Sequence, residues 1–144
     1  LPDDKEVSDL WHQETDPKKI SRSLLSSHNE HLYWRPAVEK LQDYLSILTP
    51  NTFFDDILNI EPSKFIPETK GRLLRLYSIL SKGVHWEHFS PIQLLDESTV
   101  KSAIRETILL LLNLGFISHF CPTAFASLPK AMATSAYLKC RERL

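Results

Sequence analysis

The sequence predicts an all-α protein, a single-domain bundle of about six to seven helices over residues 1–144. Apolar residues recur three and four positions apart in one segment after another, which is the spacing of one helical face. No segment shows the sustained apolar–polar alternation of a half-buried strand. Glycine is rare, with three residues, while nine prolines divide the chain into segments of helical length.

Two short amphipathic helices are predicted near the amino-terminal end. The first covers residues 4–14, and its apolar face carries Val7, Leu10 and Trp11. The second begins at Asp16 and Pro17, because Asp is a favoured N-cap and Pro fits the first helical turn. Its apolar side chains are Ile20, Leu24 and Leu25.

The clearest helix begins near Pro36 and ends before Pro50. Its apolar side chains form one stripe: Ala37, Val38, Leu41, Tyr44, Leu45 and Leu48. Asn51 then caps a short fourth helix. Residues 59–68 contain two prolines, so they are predicted to form a loop with one helical turn.

A fifth helix is predicted over residues 68–82, with Gly83 as the residue that ends it. Its packed side combines Leu73, Leu76, Tyr77 and Leu80. After a connection over residues 85–95, Asp96, Ser98 or Thr99 caps the longest helix, which runs to about Phe120.

That longest helix is apolar nearly all round from Ile108 to Ile117. This pattern indicates burial on every side, or a second face that meets a partner. Its uncharged run is shorter than the roughly 20 apolar residues that a membrane span requires, so no membrane association is predicted. Pro129 begins the last helix, whose small residues allow close approach to the helix before it: Ala131, Ala133, Ser135 and Ala136.

Composition and charge narrow the function classes. The formal net charge is −1, so no strongly basic field supports nonspecific binding of nucleic acid. No P-loop, nucleophile elbow or paired-cysteine motif is present, and no cofactor is predicted. Cys121 and Cys140 lack metal-binding spacing, which is typical of a cytoplasmic protein without disulfides. The start without Met and the end within a predicted helix are typical of an excerpt from a longer chain.

Two histidines and a glutamate gather after the fifth helix. His85 and His88 are three residues apart with Glu87 between them, and on a helix this spacing places both imidazoles on one face. A third ligand for a divalent metal would have to come from elsewhere in the fold, from His28, His31 or His119. Histidines that bond to the backbone or to tyrosine are the simpler interpretation, so we predict no metal site.

Aromatic residues are the candidate partner-binding groups. Trp86 beside His88, and Trp34 beside Tyr33, either seal the ends of the core or anchor a partner protein, since Trp and Tyr dominate binding hot spots. The sequence leaves both alternatives open.

The segment from Arg75 to His85, Arg-Leu-Tyr-x-x-Leu-Ser-Lys-Gly-Val-His, resembles a signature of bacterial HEPN-like and abortive-infection helical domains. There a Tyr-x-x-Leu-Ser helix ends in a Val-His pair and a long apolar helix follows, as residues 100–120 do here. The resemblance covers about residues 69–120. It implies a helical domain of a phage-defence or toxin–antitoxin system that dimerises or holds a partner protein.

The same resemblance implies an alternative, metal-independent ribonuclease activity. An Arg would hold the scissile phosphate and a His would move the proton, and the candidate catalytic pairs are Arg75 with His85 and Arg22 with His28. The later helix departs from the catalytic HEPN pattern, because it lacks an Arg-polar-x-x-x-His run. The resemblance therefore implies a degenerate, non-nucleolytic member.

We accordingly predict a non-enzymatic helical interaction module that forms a homodimer or binds a protein partner. RNA is the partner only under the ribonuclease alternative.

Overall fold

The computed structural model describes residues 30–84, 97–121 and 127–144. Within these ranges the fold is all-α, as predicted, with five α-helices and no strand. The helices are α1 (Trp34–Ser46), α2 (Asp55–Leu58), α3 (Phe65–Val84), α4 (Glu97–Ser118) and α5 (Lys130–Arg143). Two 3-10 helical turns, Thr52–Phe54 and Pro62–Lys64, precede α2 and α3. The two helices predicted before residue 29, and the connection over 85–95, lie outside the described residues.

α1 confirms the predicted apolar stripe. Its buried residues are Ala37, Val38, Leu41 and Leu45, while Tyr44 and Leu48 are half-buried at the edge of the core. Polar contacts then fix the chain that follows α1. The Asn51 side chain accepts the backbone N–H of Phe53 at 2.9 Å, which is the predicted cap. Gln42 Nε2 donates to the carbonyl oxygens of Ile57 at 2.9 Å and Ile60 at 2.7 Å, so α1 holds the end of α2.

α3 is longer than the prediction at both ends. It begins at Phe65 and includes Pro67, because the first turn of a helix has backbone N–H groups without intrahelical partners and tolerates a residue that lacks one. It also continues through Gly83 to Val84, so Gly83 does not end the helix. The predicted packed side is wrong at Tyr77, which is 72% exposed, whereas Leu76 is buried.

The main core lies between α1, α2, the start of α3, the second half of α4, and α5. Its buried side chains are Ala37, Val38, Leu41, Leu45, Phe54, Ile57, Phe65, Ile66, Phe116, Ile117, Phe120, Ala133 and Tyr137. A smaller group, which we call the α3–α4 cluster, consists of Leu76, Ala103 and Leu110. α4 therefore belongs to both groups, with Phe116 and Ile117 in the main core and Ala103 and Leu110 packed against α3.

No helix in the described ranges has the length and hydropathy needed to cross a membrane.

Candidate interaction surface

α4 presents apolar side chains on two faces, and one of them is uncovered. Leu110, Phe116 and Ile117 are buried. Ile104, Ile108 and Leu111 follow one another at four and three residues, so they share a different face. They are 46%, 47% and 57% exposed. The prediction of burial on every side is thus wrong, and the other alternative, a second face that meets a partner, stays a prediction.

A groove between α4 and α5 continues this open face. A cavity of about 210 Å³ lies there, and its lining includes Leu111, Leu112, Gly115, Ala133, Ala136 and Cys140. Two further apolar residues, Leu128 and Met132, are 41% and 57% exposed at the start of α5. We define the α4–α5 groove as the cavity together with the exposed apolar residues that continue it along the two helices. Leu111, Gly115, Leu128, Ala136 and Cys140 line the cavity, and Ile104, Ile108 and Met132 are the exposed residues outside its lining.

Buried contacts between α4 and α5 form the floor of the groove. The rings of Phe116 and Tyr137 stack with centroids 4.4 Å apart. The Tyr137 hydroxyl donates to Asn113 Oδ1 at 2.8 Å, and the carbonyl oxygen of Phe53 lies 3.2 Å from it. Burial raises the pKa of Tyr137 to about 12, because ionisation would place a charge in the core. The floor therefore consists of a stacked pair of rings and a buried hydrogen bond.

Basic residues border the groove. Lys101 and Arg105 lie next to the open face around the axis of α4. Lys139 and Arg143 lie on the side of α5 that carries Ala136. All four residues are exposed. Arg105 Nε donates to the carbonyl oxygen of Leu144 at 3.2 Å, which brings the end of α5 beside the first half of α4. The nearby carboxylate of Glu97 is 2.6 Å from Lys101 Nζ.

Arg75, a predicted catalytic residue, is held by a carboxylate. Its guanidinium forms an ion pair and hydrogen bond with Glu106 of α4, and Arg72 lies 3.6 Å from the same carboxylate. The hydrogen bond from Arg75 lowers the pKa of Glu106, despite partial burial of the carboxyl group. Arg75 thus joins α3 to α4. Its predicted partner His85, and the alternative pair Arg22 and His28, lie outside the described residues.

The aromatic candidates divide into two groups. Tyr33 is 1% exposed, and Trp34 is half-buried with its ring centroid 5.6 Å from that of Phe65. Both rings contribute to the packing of the fold, and partner binding by Trp34 and Tyr33 stays a prediction. Trp86 and His88 lie outside the described residues.

A second depression, of about 670 Å³, lies at the junction of α1, α4 and α5. Its lining includes Lys40, Tyr44, His119, Phe120 and Lys130. Lys130 Nζ is 5.6 Å from the Tyr44 ring centroid, a cation–π contact. His119 Nδ1 accepts the backbone N–H of Leu128 at 3.0 Å, so it holds the chain before α5. The described ranges contain no group of three His, Cys, Asp or Glu side chains placed to hold a metal ion.

Sequence reasoning did not single out the groove residues. Ile108 and Leu111 belong to the stretch for which the sequence leaves burial on every side and contact with a partner as alternatives. The signal in the sequence was that α4 is apolar on more than one face. This pattern indicates that the core does not need one of these faces, but it does not identify which face stays open.

Fold and surface together define an all-helical protein with an open apolar groove between α4 and α5. No family model matches the chain, and neither the curated proteins nor the solved structures contain a match to it.

Proposed function

We propose that this protein is a non-enzymatic helical interaction module that binds another protein chain through the α4–α5 groove. The observation that carries the proposal is the row of Ile104, Ile108 and Leu111, each about half exposed on a helix whose other apolar face is buried. Isolated apolar residues on a surface need no explanation, but a contiguous row beside a cavity is typical of a protein-binding site.

The shape of the surface supports a macromolecular ligand. The cavity of about 210 Å³ is below the 300–1,000 Å³ typical of small-molecule sites, and it opens onto a longer apolar row. Grooves of this kind receive a helix from a partner. The proposal includes a cytoplasmic location and a bacterial defence or toxin–antitoxin setting. These two parts rest on the cysteine spacing and on the HEPN-like resemblance of residues 69–120.

Sizing by light scattering tests the proposal with two variants. Ile108→Arg places a charge in the groove. Leu74→Arg places the same charge on α3, at an apolar residue that is 70% exposed. The purified chain reports self-association, and the tagged chain recovered from its native cells reports a complex with a partner. We expect a species larger than one chain in one of these samples, lost in Ile108→Arg and kept in Leu74→Arg.

A single-chain mass for all three proteins in both samples would contradict the proposal. Equal loss in both variants would also contradict it, because the groove would then have no special part in the assembly.

A further inference from the structure

We infer that the partner element is an amphipathic helix from another protein, with acidic residues beside its apolar face. This inference rests on the proposed function and adds the chemistry of the ligand. The evidence is the shape of the α4–α5 groove and the charges along its border.

The groove has the length and the clearance for a helix. From Ile104 to Gly115 the apolar row of α4 extends about 16 Å at 1.5 Å per residue, which matches a partner helix of about three turns. The space above Gly115 is open, since a Cβ placed there would meet no atom within 4 Å. Ala136 on the opposite side is also small and exposed. Small residues on both sides allow the axis of a third helix to approach closely.

The charges select the partner. Lys101, Arg105, Lys139 and Arg143 border the groove, and within the described residues the carboxylate of Glu97 is paired with Lys101. Lys139 and Arg143 form no ion pair within the described part of the chain. An acidic helix would place carboxylates against these cations, which favours association and register. A second copy would instead bring two basic borders together, so the charges disfavour a symmetric pair through this groove.

Two synthetic helical peptides of about 14 residues test the inference. Both carry Leu at i, i+3, i+4 and i+7, but one has Glu and the other Lys beside the leucines. Fluorescence anisotropy with the full chain should give saturable binding of the Glu peptide, roughly tenfold tighter than the Lys peptide at low ionic strength. Added salt should reduce this difference, because the charges are exposed.

Three variants localise the binding. Ile108→Arg should abolish binding of the Glu peptide, and Leu74→Arg should leave it unchanged. The double variant Lys139→Glu/Arg143→Glu should remove the preference for the Glu peptide, because two acidic side chains then stand opposite Lys101 and Arg105. Circular dichroism on each variant confirms that the helices are intact.

Equal affinity of the wild-type chain for the two peptides, or no change in preference in the double variant, would overturn the inference. Absence of binding to both peptides would overturn it too. This result is expected if a second copy or another part of the same chain fills the groove. The proposed function would still stand if light scattering showed an assembly that depends on Ile108. The two proposals therefore fail separately.

Discussion

The two apolar faces of α4 contain similar residues in opposite surroundings. On the covered face, Phe116 and Ile117 are at most 3% exposed in the main core. On the open face, Ile108 and Leu111 are about half exposed, and Leu111 lines the cavity between α4 and α5. Burial of apolar area contributes about 25 cal/mol per Å². The covered face therefore stabilises the folded chain, whereas much of the open face can contribute only when something covers it.

The largest expected effect comes from the covered face. Phe116→Ala removes a ring that stacks on Tyr137 and packs 5.9 Å from the Phe120 ring, and it leaves a cavity in the main core. We expect the free energy of unfolding to fall by about 3–5 kcal/mol. Chemical denaturation followed by circular dichroism measures it. Leu111→Ala on the open face is the matched control, with an expected change within about 1 kcal/mol. Equal losses in the two variants would contradict the assigned faces.

The next effect concerns the polar contact beneath the groove. Tyr137→Phe leaves the buried Asn113 side chain without its hydrogen bond to the hydroxyl, which should cost about 1–3 kcal/mol of unfolding free energy. Since burial raises the folded-state pKa of Tyr137 to about 12, above the 10.0 of an unperturbed tyrosine, its contribution is complete below pH 10 and is lost as the pH rises through 12.

Denaturation of wild type and Tyr137→Phe across this alkaline range tests the predicted loss of the Tyr137 contribution with rising pH. The stability difference between the two proteins should shrink as the pH rises. A constant difference up to pH 12 would show that the hydroxyl is not protected as the structure has it.

A smaller effect is expected where α4 meets α3. Glu106→Gln weakens the contacts with Arg72 and Arg75, and because these groups are partly exposed the loss should be about 0.5–1 kcal/mol. The pKa of Glu106 is lowered from 4.5, so its contribution is present above pH 4.5 and is lost as the pH falls through the lower folded-state value. Thermal unfolding at pH 7 and at acid pH measures both parts.

Glu97→Gln is the control for that measurement. Glu97 is paired with Lys101 on the same helix, and its side chain is 81% exposed. Its substitution should change stability by less than Glu106→Gln. The reverse order would mean that the α3–α4 ion pairs do not hold the first half of α4.

The smallest effect on stability is expected on the open face itself. Ile108→Gln replaces a half-exposed side chain by one with good helix propensity, so the free energy of unfolding should stay within about 0.5 kcal/mol of wild type. Binding of the Glu peptide in the anisotropy assay should nevertheless fall clearly. A loss of more than about 2 kcal/mol would show instead that Ile108 belongs to the core.

The fold was predictable where local chemistry decides it. The stripe of α1, the cap at Asn51 and the start of α5 after Pro129 follow from periodicity and from side-chain chemistry at helix ends. The ends of α3 were not predictable in this way, because Pro67 is tolerated within its first turn and Gly83 can remain helical. The groove was not predictable either. Whether Ile108 or Leu110 is covered depends on the tertiary positions of α3 and α5, which the periodicity of α4 does not contain.

Photo-crosslinking from the open face tests the central claim most directly. A benzoylphenylalanine replaces Ile108 in one protein and Leu74 in another, and both are irradiated in the native cells of this chain. We predict a crosslinked product of defined mass from position 108, to a partner protein, and none from position 74. Absence of such a product at 108, or equal products from both positions, would contradict the claim that the α4–α5 groove binds a protein chain.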